Sequence, residues 1–224
     1  DEERALYSAC ENGHLDIVNV LLQSNKIQIN QAHDNGWTPL NVACQKGHLD
    51  IVQALLRHPK INVNQPNNYG STPLNVACQK GHVNVVRVLL EREDIEINRA
   101  DNYRATPLFM ACQQGHLDIV NVLLKREDIE INQAMKDGVT PLYIACHEGH
   151  VNVVRALLQS NEIQINKPMK DGATPLFVVC ESGHLDIVNV LLQSNKTQIN
   201  QARDDGVTPL YIACQKGHLD IVNV

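Results

Sequence analysis

An all-α solenoid is the fold this sequence predicts, on three observations. Thr-Pro-Leu recurs six times at a spacing of 34 residues without slippage, opening at Thr38, Thr72, Thr106, Thr140, Thr174 and Thr208. A cysteine holds the same register seven times, from Cys10 to Cys214. A Gly-His pair follows each cysteine, from Gly13-His14 to Gly217-His218. A period of this length signals supersecondary units that bury their apolar faces against one another. The 224 residues therefore count repeats rather than globular domains.

The second repeat shows how one unit folds. Asp34-Asn35-Gly36 is a turn signal, and Thr38-Pro39 supplies an N-cap hydroxyl followed by proline at the first helical position. The spacing predicts a helix from Pro39 to Lys46, with Leu40, Ala43 and Cys44 on one narrow apolar face and Gly47 as the left-handed residue that ends it. A second helix follows the Gly-His step, with Leu49, Val52, Leu55 and Leu56 on a broader stripe and Asp50 in the first turn, where the helix dipole favours an anion. Beyond it, Ile61 and Val63 alternate with polar residues in the period of a strand, leading into an extended finger that turns at Asn67-Asn68-Tyr69-Gly70. One asparagine recurs at a fixed finger position (Asn30, Asn64, Asn98, Asn132, Asn166, Asn200), as expected of an amide ladder that satisfies backbone groups between adjacent fingers. Arg104 stands where the other repeats have Gly36, Gly70, Gly138, Gly172 and Gly206, so a positive φ is expected there.

Composition narrows the function classes. With 43% hydrophobic but only 4% aromatic residues, the core is aliphatic, alanine and cysteine. A net charge of −6 without a basic block lacks the footprint of a nucleic-acid binder. No apolar run approaches the roughly 18 residues of a membrane span. Cysteines one repeat apart lie about 8–10 Å from each other, beyond the roughly 7 Å between Cα atoms that a disulfide tolerates. Seven thiols that do not pair in series point to a reducing, cytoplasmic location.

Chemistry is sparse. The Gly-His histidines, one per repeat, are too far apart to share a metal ion and read as polar residues opening the second helix. His147-Glu148-Gly149-His150 looks metal-like, yet its glycine breaks the helix that would align the two rings. No catalytic residue, metal site or cofactor is expected.

Taken in order, Gly-x-Thr-Pro-Leu, Ala-Cys, Gly-His-Leu-Asp-Ile-Val, Leu-Leu and the finger asparagine resemble the ankyrin repeat family over essentially all 224 residues. Two departures stand out. The histidine that this family carries after Thr-Pro-Leu is replaced by Asn41, Asn75, Phe109, Tyr143, Phe177 and Tyr211, so its hydrogen bonds are altered, and each unit is one residue longer than the common 33. The resemblance implies one solenoid over 1–224: an elongated right-handed stack of about seven repeats, each a helix-turn-helix with a β-hairpin finger. Its first repeat lacks Thr-Pro and its last stops inside the second helix at Val224, as in a fragment of a longer array.

It further implies a non-catalytic scaffold that binds a protein or peptide through a concave surface of fingers and first helices. The residues expected to carry binding are Trp37, Tyr69, Tyr103, Met135 and Met169 at the finger tips and Gln45, Gln79 and Gln113 on the first helices. Self-association through uncapped terminal repeats is a further expectation. A structural spacer within a larger protein and a consensus-like scaffold are the other readings. The resemblance also makes the loop asparagine a candidate substrate for an asparaginyl hydroxylase, with Leu56 eight residues ahead of Asn64.

Overall fold

The structure, a computed structural model, describes residues 2–34 and 36–224, with only the backbone for residues 2 and 3. The chain falls into two compact units, Asp1–Pro107 and Leu108–Val224. The first holds three helical pairs: α1 (Glu2–Asn12) with α2 (Leu15–Leu22), α3 (Pro39–Lys46) with α4 (Leu49–Leu56), and α5 (Pro73–Lys80) with α6 (Val83–Leu90). The second holds α7 (Pro107–Gln113) and α8 (Leu117–Leu123), α9 (Pro141–His147) and α10 (Val151–Leu157), α11 (Pro175–Ser182) and α12 (Leu185–Leu192), and α13 (Pro209–Lys216) and α14 (Leu219–Val222). First helices pack on first helices and second on second, as α1 on α3 on α5, α9 on α11 on α13, and α8 on α10 on α12. Among the described residues no helix is long and apolar enough to cross a membrane.

Helix ends follow the local chemistry. Thr38 and Thr72 sit in extended backbone at the N-cap and accept from the backbone N–H of Asn41 and Asn75. These asparagines then do more than cap. The Asn41 Oδ1 accepts from the Thr38 N–H at 3.0 Å and from its hydroxyl at 2.9 Å, while the amide nitrogen donates to the Gln65 carbonyl at 3.4 Å. Tyr143 and Phe177 keep only the threonine cap and fill the site with a ring; Phe177 is among the most deeply buried side chains. Burial, followed by nearby Asp171, pushes the Tyr143 phenol up to about 12. The altered hydrogen bonding expected at this register thus takes two forms, a polar network at Asn41 and Asn75 and a buried ring at Phe109, Tyr143 and Phe177.

The extended finger is corrected by the structure: among the described residues there is no strand. Ile61 and Val63 are buried and the intervening Asn62 is exposed, so the alternation is real. It arises from consecutive turns, with the Ile61 N–H donating to His58 and the Gln65 N–H to Asn62. At the finger itself a short loop closes on two bonds, from the Asn67 N–H to the Ser71 carbonyl and from the Gly70 N–H to Asn67. A finger with so few rungs has no ladder to extend.

Two stitches tie repeat to repeat. The loop asparagine is the first: Asn64 donates to the Asp94 carbonyl at 2.6 Å and accepts from the Glu96 N–H at 2.9 Å, and Asn30, Asn132 and Asn166 repeat the pattern. The predicted ladder is therefore present within each unit. The second was not foreseen. The Gly-His rings give no side-chain cap to the helices they open, yet the Nε2 of His82 lies 3.0 Å from the Gln45 carbonyl of the repeat before, and His48, His150, His184 and His218 reach back in the same way. A carbonyl can only accept, so that nitrogen carries the proton.

Six cysteines, Cys10, Cys44, Cys78, Cys112, Cys146 and Cys180, are buried, and Cys214 is exposed. Burial pushes the Cys10 thiol up to about 12 and the Cys180 thiol up to about 11, well away from the reactive thiolate. Thiol counting on the native protein is expected to find Cys214 reacting promptly and the six buried cysteines only on unfolding. Prompt labelling of a cysteine inside either stack would contradict this packing.

Arg104 has φ +70°, and it is alone among the described non-glycine residues in the left-handed region. Arg104→Gly is expected to raise stability by about 1 kcal/mol by removing the Cβ penalty of that conformation. Equilibrium denaturation measures it, and an unchanged midpoint would mean that contacts of the arginine offset the strain.

Candidate partner-binding surface

The residues singled out by sequence fall into two sets in the structure. Tyr69 and Tyr103 stand well out in solvent, 59% and 61% exposed, at the tips of consecutive fingers. Those tips are coupled: the Asn102 N–H donates to the Tyr69 carbonyl at 3.0 Å and the Asn102 amide to the Asn68 carbonyl at 3.1 Å. Gln79, near the end of α5, is also exposed. Trp37, Gln45, Gln113, Met135 and Met169 are half-buried. Trp37 sits where its finger closes, its carbonyl accepting from the His33 N–H at 2.9 Å.

Finger chemistry differs between the units. In the first, Asn67 and Asp101 open the turn, and each side-chain oxygen takes two backbone N–H groups: Tyr69 and Ser71 for Asn67, Tyr103 and Ala105 for Asp101. In the second, Met135 and Met169 occupy that opening position, and the side-chain acceptor moves two residues on, to Asp137 and Asp171, which bind the N–H of Val139 and Ala173. The methionines therefore lie at the root of the finger rather than at its tip. Adjacent fingers remain coupled, with the Lys170 N–H donating to the Asp137 carbonyl at 2.8 Å.

Three features escaped the sequence reading. The rings of Tyr7 and His33 stack at 4.9 Å with an interplanar angle of 24°, beside a cleft of about 280 Å³ that Arg4, Gln28 and Asp34 also line. Their register was visible, since Tyr7 falls at the Asn41 position and His33 opens a finger. Arg203 lies 4.9 Å over the Phe177 ring. A cleft of about 630 Å³ in the second unit lies on the side of the second helices, lined by Leu124, Ile129, Ala156 and Glu162 among others.

The metal-like cluster does not assemble. His147 meets its neighbour Glu148 at 3.1 Å, while His150 is turned to the Gln113 carbonyl. Among the described residues no group of three or more potential ligands converges.

Threonine-capped first helices, histidine and asparagine stitches between neighbours, and short projecting fingers define a helical repeat scaffold. The profile of ankyrin repeats matches overlapping segments that together span the chain (1–67, 59–135, 98–169, 125–203 and 161–224), and the protein belongs to the ankyrin repeat family. Among solved structures it is similar to the human ASB11 ankyrin repeat domain, with a TM-score of 0.82 and 25% identity over 97% of this chain and 96% of that one. No curated protein matches.

Proposed function

We propose that this chain is a non-catalytic scaffold, one array of about seven repeats, that binds a protein or peptide through its fingers and first helices. Ankyrin repeats generally serve as protein-interaction modules. The observation that carries the reading to a particular surface is the exposure of Tyr69 and Tyr103 on two bonded finger tips. Large side chains held out on a rigid scaffold supply binding energy at small entropic cost, and tyrosine is enriched among hot spots. In the first unit Gln45 and Gln79 would form the polar rim and Trp37 the half-buried floor, and in the second Gln113 would belong to the rim and Met135 and Met169 to the floor.

Thiols in this number suit the reducing cytoplasm, where we place the protein. Self-association would use the exposed apolar side chains of the last repeat, where Leu210, Tyr211 and Leu219 are 55%, 57% and 67% exposed.

Affinity capture from the source cell followed by titration tests the surface. Tyr69→Ala or Tyr103→Ala is expected to cost about 2 kcal/mol of affinity while leaving folding intact. Arg87→Ala, on the second-helix side, is expected to change little. Binding lost through Arg87, or through the cleft beside Leu124 and Ile129, while the tyrosine variants bind normally would move the site to the opposite side.

A further inference from the structure

Resting on that reading, we propose that the finger-and-first-helix surface of the first unit takes an acidic peptide in polyproline II conformation, its carboxylates meeting Lys46 and Lys80 and its apolar face lying on Tyr69 and Tyr103.

The two lysines end consecutive first helices, α3 and α5, and both are exposed. Among the described residues neither comes within 4.0 Å of a carboxylate. Their counterpart in the second unit, Lys216, behaves differently: its Nζ lies 3.9 Å from Glu181 on the first helix of the repeat before. A lysine in this register therefore reaches an anion held over the neighbouring helix end. Glu11 stands in the Glu181 register ahead of Lys46 but lies beyond that distance, and ahead of Lys80 the register is held by Gln45, which offers no charge.

The other charges of this surface are few. Arg104 adds a cation, Glu11 and Asp34 add anions at the outer repeat, and the Asp101 carboxylate is occupied by the N–H groups of Tyr103 and Ala105. The same registers in the second unit carry Glu148, Glu181, Asp137, Asp171, Asp204 and Asp205 together with Lys136, Lys170, Arg203 and Lys216, of which Lys216 and Arg203 are paired with carboxylates. In a chain of net charge −6, two exposed lysines one repeat apart, each without a carboxylate partner among the described residues and in the same repeats as the exposed finger-tip tyrosines or the one before, are complementary to an acidic ligand.

Spacing selects the conformation. Equivalent positions on packed helices lie about 8–10 Å apart. A polyproline II segment advances about 9 Å per turn of three residues and returns every third side chain to one face. One carboxylate per turn thus matches one lysine per repeat, and prolines between them present flat apolar rings to the tyrosines, the usual aromatic recognition of such segments.

The test is fluorescence anisotropy with a labelled peptide of repeating Pro-Pro-Glu. Binding is expected, weakened by at least about tenfold when glutamine replaces glutamate in the peptide or when the protein carries K46Q and K80Q together. Both lysines also suit the negative ends of their helices, so each variant is checked for unchanged melting. The double reversal K46E/K80E is expected to bind a Pro-Pro-Lys peptide instead, which a purely structural role for the lysines would not produce.

Absence of binding, equal binding of the glutamate and glutamine peptides, equal binding when the glutamates are gathered in a block, or indifference to the lysine variants would each overturn the proposal. Tighter binding of a single-stranded oligothymidylate would replace it with general polyanion binding. Were the lysine variants silent while Tyr69→Ala weakened every peptide, the acidic class would fall and the interaction surface would stand. Conversely, if a captured natural partner ignored both tyrosine variants, the surface itself would be wrong.

Discussion

Asn75→Ala is expected to lower the stability of the first unit by about 3 kcal/mol, because it strips partners from several buried backbone groups at once. The side chain is 1% exposed. Its oxygen accepts from the Thr72 N–H at 2.9 Å and the Thr72 hydroxyl at 2.6 Å, and its nitrogen donates to the carbonyls of Arg99 and Ala105, both at 3.3 Å. One residue thus fastens the cap of α5 to the finger of the following repeat. Each orphaned buried group costs about 1–3 kcal/mol, while water admitted to the cavity returns part of this. Asn75→Asp keeps the acceptor but loses both donations and turns a buried carboxylate oxygen toward two carbonyls, so at neutral pH its cost is expected to equal or exceed that of alanine. Urea denaturation of the purified chain measures both, and a loss below about 1 kcal/mol for the alanine variant would show the network to be dispensable.

Gly70→Ala is expected to cost about 2–3 kcal/mol, and Gly206→Ala only about 1 kcal/mol, although the two share almost the same backbone. Their φ values are +80° and +83°. The difference lies in what a Cβ would meet. At Gly70 it would fall 2.7 Å from the backbone nitrogen of Asn102, the group whose N–H is bound to Tyr69, so the tip of the next finger would have to move and its bond would break. At Gly206 nothing lies within 4 Å. The pair separates the intrinsic cost of left-handed backbone from the cost of parting two fingers, and equal losses would mean that the fingers are not mechanically coupled. Gly70→Ala is also expected to weaken any ligand that bridges Tyr69 and Tyr103.

Much of this was legible in the chain. Threonine caps, proline at the first helical position and glycine just past the end are local signals whose physics acts within one or two turns, and α3 runs from Pro39 to Lys46 as those residues dictate. The left-handed backbone of Arg104 was readable for the same reason, because five glycines in its register declare the conformation. The loop asparagine was readable as a ladder because a short amide repeated at a fixed spacing, where backbone groups would otherwise go unpaired, has few other uses.

The roles that depended on neighbours were not legible. His82 looks like a residue that opens a helix, and only packing shows that its ring spans to the Gln45 carbonyl and lies where a side chain on Gly47 would be, 2.6 Å from its Nδ1. Ile61 and Val63 alternate as a strand would, yet consecutive turns bury the same two side chains, since period-two burial does not by itself specify a ladder. The sequence by itself determined the repeat, its caps and its apolar faces, all set by interactions of short range along the chain. Tertiary structure alone decided that the histidines stitch repeats together and which finger side chains stand in solvent, because both depend on the repeat packed alongside.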